Sequence, residues 1–228
     1  MKIIECKKID VENYDNIIFI RIEPEDLSIT IREIINSLSD MSWISQFDQQ
    51  YVRLSFEDRA KNTAKYLANK INSDDENQLT KDTGEYVVSE LARQAIVSEL
   101  KYMDIPLAEL FKEQVSGNPG FDFYSANLDK VIIFGEAKYK SNENAYGRAM
   151  KQVDNFINNR QDISDLIDIR AFFEEESLNK VASGEKGYAV AFAAKSITSD
   201  SLIKNIIRNK YYKNLALHKE VIYLAVNV

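Results

Sequence analysis

Three charged residues in the second half of the chain have types and spacing suited to chemistry on a phosphate. Glu136 and Lys138 follow the apolar run 131–134, and a strand presents residues two positions apart on the same face. Asp122 lies upstream between two phenylalanines, and a hairpin brings directly opposed Cβ atoms to within about 5 Å. Because burial of unpaired charge is costly, we expect these side chains to meet at the end of a buried strand pair.

Two carboxylates and a lysine in this arrangement suit metal-assisted hydrolysis. Asp122 and Glu136 offer the oxygen ligands that Mg²⁺ prefers, with Mn²⁺ as a second candidate, and Lys138 is placed to orient water or neutralise developing charge. The Glu-x-Lys spacing alone carries no weight, because the sequence holds three such triplets and only this one follows an apolar strand. The plainer interpretation is an ion pair at the end of a hairpin, in which Glu136 pairs with Lys138 or Lys140.

Composition excludes several other chemistries. The seven glycines form neither a P-loop nor a G-x-G-x-x-G sequence, and one cysteine and one histidine exclude an internal disulfide and zinc sites rich in cysteine or histidine. The 228 residues contain no apolar stretch of about 18 and no signal-peptide pattern, which predicts a cytoplasmic protein without a membrane span. The net charge of −7 argues mildly against a nucleic-acid partner, although carboxylate-based nuclease sites are a partial exception.

Hydrophobic patterning predicts an α/β (α+β) fold. The polar, acidic stretch 72–78 is the best linker, so we expect an N-terminal α/β region at 1–75, which is a candidate for partner binding or regulation, and a second domain at 76–228. The first region is predicted to contain strands at 16–22 and 51–56 and helices at 27–38 and 57–71. The second is predicted to contain helix 82–102, strands 121–125 and 131–139, helix 144–160, strand 187–194, helix 201–217 and strand 221–228.

The hairpin residues also carry a resemblance to a known superfamily. P-G-F-D at 119–122 and F-G-E-A-K at 134–138 resemble the signature of the PD-(D/E)XK nucleases. The element order is similar to their restriction-endonuclease-like core, which implies a central mixed sheet flanked by helices. The resemblance covers about residues 80–228, and it departs from the signature where two residues separate the proline from Asp122. It implies Mg²⁺-dependent phosphodiester hydrolysis, with Asp122 and Glu136 as metal ligands and Lys138 as the catalytic lysine.

Residues on two neighbouring helices are candidates to support this site. Many superfamily members add an acidic residue from the first core helix, where Glu85 lies at the edge of the apolar face and Glu90 points toward solvent. Glu85 is therefore preferred, although it also fits a capping box in which Asp82 is the N-cap. Gln152, on the helix after Lys138, resembles the glutamine that some members carry there.

Two further segments are locally basic and are candidates to contact phosphate, although a solvated helix face is the other interpretation. The first contains Lys140, Arg148 and Lys151, and the second contains Lys204, Arg208 and Lys210.

A narrower similarity concerns the partners of the protein. G-E at 84–85, G-F-D at 120–122 and G-E-A-K-Y at 135–139 are similar to the nuclease subunit of the Hachiman antiphage system, which implies antiviral defence with a helicase-like partner. We therefore expect a Mg²⁺-dependent nuclease that acts on nucleic acid, with DNA favoured, and a homo-oligomer is compatible with the sequence. The alternative is a catalytically inactive nuclease fold that binds nucleic acid or a protein partner.

Overall fold

The computed structural model describes residues 1–11, 14–72, 80–112, 120–195 and 197–228. The strands in this part are β1 (Lys2–Val11), β2 (Tyr14–Glu23), β3 (Phe123–Ala126), β4 (Ile132–Lys138), β5 (Gly187–Ala194) and β6 (Glu220–Asn227). The α-helices are α1 (Leu27–Ser39), α2 (Gln50–Asn72), α3 (Lys81–Leu100), α4 (Ala108–Phe111), α5 (Tyr146–Asn158), α6 (Gln161–Ile169), α7 (Glu175–Ala182), α8 (Ser199–Ile207) and α9 (Tyr212–Ala216). A short 3₁₀ helix spans Ser42–Gln46.

The six strands form one mixed sheet in the order β1-β2-β6-β5-β4-β3. β2, β6, β5 and β4 run parallel to one another, whereas β1 and β3 pair antiparallel with their neighbours at the two edges. β5 is buried along its whole length and β6 along all but its ends, as continuous apolar sequences predict for parallel strands covered on both faces. Helices α3 and α5 pack on this sheet. The predicted α/β class, with a mixed sheet flanked by helices, is therefore confirmed.

The N-terminal strands extend this sheet. β2, which corresponds to the predicted strand 16–22, pairs with β6 from Ile17 opposite Val221 to Ile22 opposite Val226. Residues from both predicted regions therefore share one sheet and one apolar core. The expected boundary between 75 and 76 lies outside the described residues.

Two predicted elements are wrong. Residues 51–56 are not a strand but the first turns of α2, whose buried positions Phe56, Ala60, Ala64 and Leu67 follow helical spacing. The six-residue alternation is too short to distinguish a strand from the start of this long amphipathic helix. The predicted helix 201–217 is two helices, α8 and α9, and α6 and α7 were not predicted.

Candidate active site

The β3–β4 hairpin brings Asp122 to the end of β4. Phe123 lies opposite Gly135, and the Asp122 N–H donates to the Gly135 carbonyl at 2.8 Å. The Asp122 carboxylate accepts a hydrogen bond of 2.7 Å from the N–H of Ala137. Since Ala137 separates Glu136 from Lys138, the Asp122 carboxylate lies beside both members of the Glu-x-Lys triplet.

Two glycines allow the close packing around this hairpin. A Cβ atom at Gly135 would lie 2.2 Å from a ring carbon of Phe123, so glycine lets the ring cover β4 beside the carboxylates. A Cβ atom at Gly84 would lie 2.3 Å from the ring of Tyr139, so glycine lets the first turns of α3 rest against the residue after Lys138.

The start of α3 differs from the predicted capping box. The N-cap is Thr80, whose hydroxyl accepts from the Thr83 N–H at 3.3 Å, and residue 82 lies within the first turn. The predicted cap at Asp82 is therefore wrong, and Glu85 is too far along the helix to form a capping box with Thr80. Glu85 instead directs Oε2 to within 3.7 Å of the Lys138 Nζ.

Lys138 links the carboxylates on β4 and α3. Its Nζ lies 2.5 Å from Oε1 of Glu136 and also donates to the main-chain carbonyl of Ala137 at 3.0 Å. Glu136 is only 2% exposed, whereas the lysine side chain keeps part of its surface in solvent. The ion pair expected from the plainer interpretation is thus present, and it lies within a larger carboxylate cluster.

The electrostatics of this cluster follow from its burial. Burial raises the pKa of Asp122 to about 6, against the opposing effects of Lys138 and the Ala137 N–H. Burial and the neighbouring Asp122 charge raise the pKa of Glu136 well above its ordinary value. Burial would lower the pKa of Lys138, but Glu136 and Asp122 outweigh this effect and raise it. Lys138 therefore carries its proton at neutral pH and is a hydrogen-bond donor and a positive charge, not a base.

Glu109 is a fourth acidic residue near the site, and it was missed in the sequence. The N–H of Ala108 donates to the main-chain carbonyl of Asp122 at 2.9 Å, which holds α4 beside the hairpin. Burial and the Asp122 charge raise the pKa of Glu109 to about 8. The signal for it is a single acid within the apolar run from Leu107 to Phe111.

Asp165 on α6 fixes the backbone that leads into Asp122. This buried carboxylate accepts from the Phe121 N–H at 3.0 Å and from the Tyr124 hydroxyl at 2.5 Å, and it pairs with the Lys112 ammonium at 2.8 Å. The two residues that donate hydrogen bonds to Asp165, Phe121 and Tyr124, flank Asp122 on both sides. Asp165 therefore restricts where the Asp122 carboxylate can point.

Several carboxylate oxygens of the cluster lack a hydrogen-bond partner among the described residues. These are Oε2 of Glu136, Oε1 of Glu85 and Oε2 of Glu109, and all three are buried. A buried acceptor without a partner is rare and costly in a folded protein, unless a bound ion or water satisfies it. Within the described part of the chain, no three histidine, cysteine or acidic side chains are arranged as a metal-binding group. Mg²⁺ needs only one or two carboxylates, because water completes its shell, so the Asp122 and Glu136 pair fits this cation.

The expectation that Glu90 points toward solvent is wrong. The residue is 1% exposed, because α1 packs over that side of α3 and the Ser37 hydroxyl lies 2.6 Å from the Glu90 carboxylate. Arg93 donates to both carboxylate oxygens at 2.7 Å. The charge of Glu90 is thus neutralised locally by Arg93. A helical wheel of α3 alone does not include α1, so it could not show this burial.

The remaining candidates form no hydrogen bond or ion pair with the described residues of this cluster. Gln152 is half-buried on α5, and its side chain makes no hydrogen bond with a described residue. Lys140 and Arg148 both contact the Glu143 carboxylate, at 2.6 and 3.3 Å. The other basic candidates, Lys151, Lys204, Arg208 and Lys210, are exposed. The two basic segments adjoin where Gly147 faces Asn209, since a Cβ atom at Gly147 would lie 3.6 Å from the Asn209 amide nitrogen.

Comparison of the chain with protein-family models, with curated proteins and with solved structures finds no match. No helix among the described residues is both long enough and apolar enough to cross a membrane.

Proposed function

We propose that this protein is a divalent-cation-dependent nuclease that hydrolyses phosphodiester bonds. The observation that carries the proposal is the state of Glu136. This carboxylate is almost completely buried, one of its oxygens has no partner among the described residues, and it lies beside Asp122 and Lys138. Burial of an unpartnered carboxylate oxygen beside a second acid costs free energy. Such an arrangement is expected where carboxylates act on a ligand, because a purely structural ion pair has no need of the second acid.

The residues present fit a hard cation. Asp122 and Glu136 would hold Mg²⁺ or Mn²⁺, and the unpartnered oxygen of Glu136 would gain a ligand bond. The bound cation supplies Lewis acidity and lowers the pKa of a coordinated water. Glu85, whose Oε1 is also unpartnered, lies close enough to Lys138 to orient it.

Lys138 contributes a fixed positive charge. Because the adjacent carboxylates keep it protonated, it can donate to a phosphate oxygen where negative charge develops, or hold the attacking water. Its side chain is partly exposed, so a substrate can reach it without displacing the buried carboxylates.

Basic side chains near the site offer contacts to the substrate. The exposed Lys151, Arg208 and Lys210 and the neighbouring Arg148 and Lys140 offer contacts to a phosphate backbone. DNA as the favoured substrate, a helicase-like partner and a role in antiphage defence rest on the resemblance of the motifs alone.

Cleavage of a plasmid in Mg²⁺ and in Mn²⁺ tests the proposal. Glu136→Gln and Lys138→Met keep the side-chain shapes and remove the charges, and each is expected to lower the cleavage rate by more than about a hundredfold. Glu174→Gln and Lys130→Met are the matched controls, because they break an exposed ion pair of 2.8 Å far from these carboxylates. Cleavage that survives Glu136→Gln would refute the proposed site.

One observation favours a second candidate function. The ion pair between Glu136 and Lys138 already neutralises one carboxylate, as expected for an inactive nuclease fold that only binds nucleic acid or a protein. For an inactive fold, Mn²⁺ is expected not to bind, and electron paramagnetic resonance, which detects free Mn²⁺, measures this. The protein is then expected to shift nucleic acid on a gel without cleaving it. Binding of one Mn²⁺ that Glu136→Gln abolishes would favour the nuclease.

A further inference from the structure

A cavity lies where α1, the 3₁₀ helix, α3 and α4 meet. Its volume is about 170 Å³. Leu38 of α1 and Leu107 and Leu110 at α4 give it apolar walls, whereas Asp40 and Asp104 are exposed and mark its opening to solvent. A concave site that combines apolar walls with a few placed polar groups is the usual form of a small-molecule site. The polar groups of this cavity therefore indicate what it can bind.

Trp43 of the 3₁₀ helix gives this cavity a hydrogen-bond donor. Its indole nitrogen is buried and has no hydrogen-bond partner in the described part of the chain. Packing fixes the indole ring, whose centroid lies 5.5 Å from that of Phe56 and 5.8 Å from that of Phe172. A buried indole N–H usually has an acceptor. A ligand in the cavity that presents an oxygen to Trp43 would supply it.

The buried ion pair between Arg93 and Glu90 forms another wall of the cavity. A guanidinium has five N–H donors, and the bonds of Arg93 to Glu90 and Asp104 use three of them. A fourth contact, to the Ser37 hydroxyl, is long at 3.5 Å. At least one N–H of Arg93 is thus left without an acceptor among the described residues. Because the carboxylates of Glu90, Asp104 and Asp40 outnumber this guanidinium, a neutral acceptor suits the cavity better than an anion.

We propose that this cavity binds the ring of a neutral pyrimidine base, such as uracil or thymine. Its volume sets the size of the ligand, because a cavity of about 150 Å³ holds one benzene molecule. The carbonyl oxygens of the base accept from Trp43 and Arg93, and its ring N–H donates to the Asp104 carboxylate at the opening. The faces of the ring contact Leu38 and Leu110. The sugar attached to the base remains in solvent, since the cavity has room for one ring.

The fluorescence of Trp43 tests this proposal directly, because Trp43 is the single tryptophan of the chain. Uridine and thymidine are titrated into the full chain, with excitation at the red edge of the tryptophan absorption, where pyrimidines absorb little. A saturable change in emission is expected, with a dissociation constant below about 1 mM. Calorimetry is expected to give one bound molecule per chain. Ribose without a base is expected to change nothing. An equal response to ribose, or no response to either nucleoside in both assays, would overturn the proposal.

Two variants locate the binding in this cavity. Trp43→Phe keeps an aromatic ring and removes the N–H, so calorimetry is expected to show uridine binding weakened by about tenfold. Leu38→Phe narrows the cavity and keeps the fluorescent reporter, and it is expected to abolish the response. Leu54→Phe is the matched control, because Leu54 is 58% exposed on α2 outside the cavity, and its variant should bind as the wild type does. Circular dichroism checks folding, and if Leu38→Phe does not fold, Trp43→Phe decides. Unchanged affinity in Trp43→Phe would contradict the proposed contacts.

The base can come from a free nucleoside or from a single-stranded nucleic acid. A short oligouridylate, titrated in the same way in the presence of a chelator, distinguishes these sources. Binding tighter than that of uridine, with the same change in Trp43 emission, would assign the cavity to a base of a nucleic-acid strand. Weaker binding would assign it to a free nucleoside. Both assays measure binding without cleavage, so their result is independent of whether the protein is a nuclease.

Discussion

The raised pKa of Glu109 leads to a prediction about stability that can be measured without knowledge of the substrate. An acid whose folded-state pKa exceeds its unfolded-state pKa binds its proton more tightly in the native protein. The native state therefore loses stability as the pH rises between the two values. For Glu109 this window runs from its ordinary value of 4.5 to about 8. Glu109→Gln keeps the shape of the side chain and removes the titration, so the stabilising effect of this substitution should grow with pH across that window.

The magnitude follows from the width of the window. Each pKa unit corresponds to about 1.4 kcal/mol, so the difference between variant and wild type can rise by up to about 5 kcal/mol from acidic to alkaline pH. The Asp122 charge contributes part of this shift, and the full amount is an upper bound. The measurement is urea unfolding of both proteins at about pH 5 and about pH 8.5 in the presence of a chelator, which removes stabilisation by bound cations.

The control for this experiment is Glu57→Gln, because Glu57 lies on the exposed surface of α2 beside Lys61. Its substitution is expected to change the unfolding free energy by less than about 1 kcal/mol at either pH. A Glu109→Gln difference that stays constant with pH would refute the reasoning, since it would mean that Glu109 titrates normally in the native protein.

Three other predictions concern the geometry of the hairpin. Asp165→Asn and Asp162→Asn each break a buried ion pair of an α6 residue, and each should lower the unfolding free energy by about 3–5 kcal/mol in urea. Under conditions where both variants are folded, only Asp165→Asn should also slow plasmid cleavage. Saturating Mg²⁺, at about a hundred times its dissociation constant, should raise the unfolding free energy by about 2.7 kcal/mol, and this gain should vanish in Glu136→Gln. Gly135→Ala should destabilise the protein by about 1–3 kcal/mol in the same assay, because the new methyl group meets the Phe123 ring. Equal stability of the variant and the wild type would contradict close packing between Gly135 and Phe123.

The hairpin and its charged residues could be predicted because the signal is local. The apolar run before Glu136 identifies a buried strand, the short gap before it identifies a turn, and the period of two fixes which side chains share a face. The same reasoning located β5 and β6, whose sequences are continuously apolar. The adjacency of Asp122 to the Glu-x-Lys triplet followed from these strands without knowledge of the rest of the fold.

The residues that were missed depend on contacts distant in sequence. Glu90 is buried only because α1 covers it, and Glu109 approaches Asp122 only because α4 hydrogen-bonds to the main-chain carbonyl of Asp122. β1 was not predicted, because an edge strand with one exposed face carries charges and lacks a continuous apolar run. A helical wheel or a strand pattern describes one element, and none of these features belongs to one element.

The position of β6 in the sheet has a consequence for how the chain folds as it is synthesised. β6 lies between β2 and β5, so it joins the β1–β2 hairpin to the three strands β5, β4 and β3. Its pairing with β2 links residues about 200 positions apart, and such a distant contact forms slowly because a large loop must close first. Until residues 220–227 leave the ribosome, β2 and β5 each expose an apolar edge, and a nascent chain in this state is prone to aggregate. Strand β6 is thus the element whose arrival unites the two halves of the sheet, and substitutions that delay its docking should lower the soluble yield more than the stability of the finished protein.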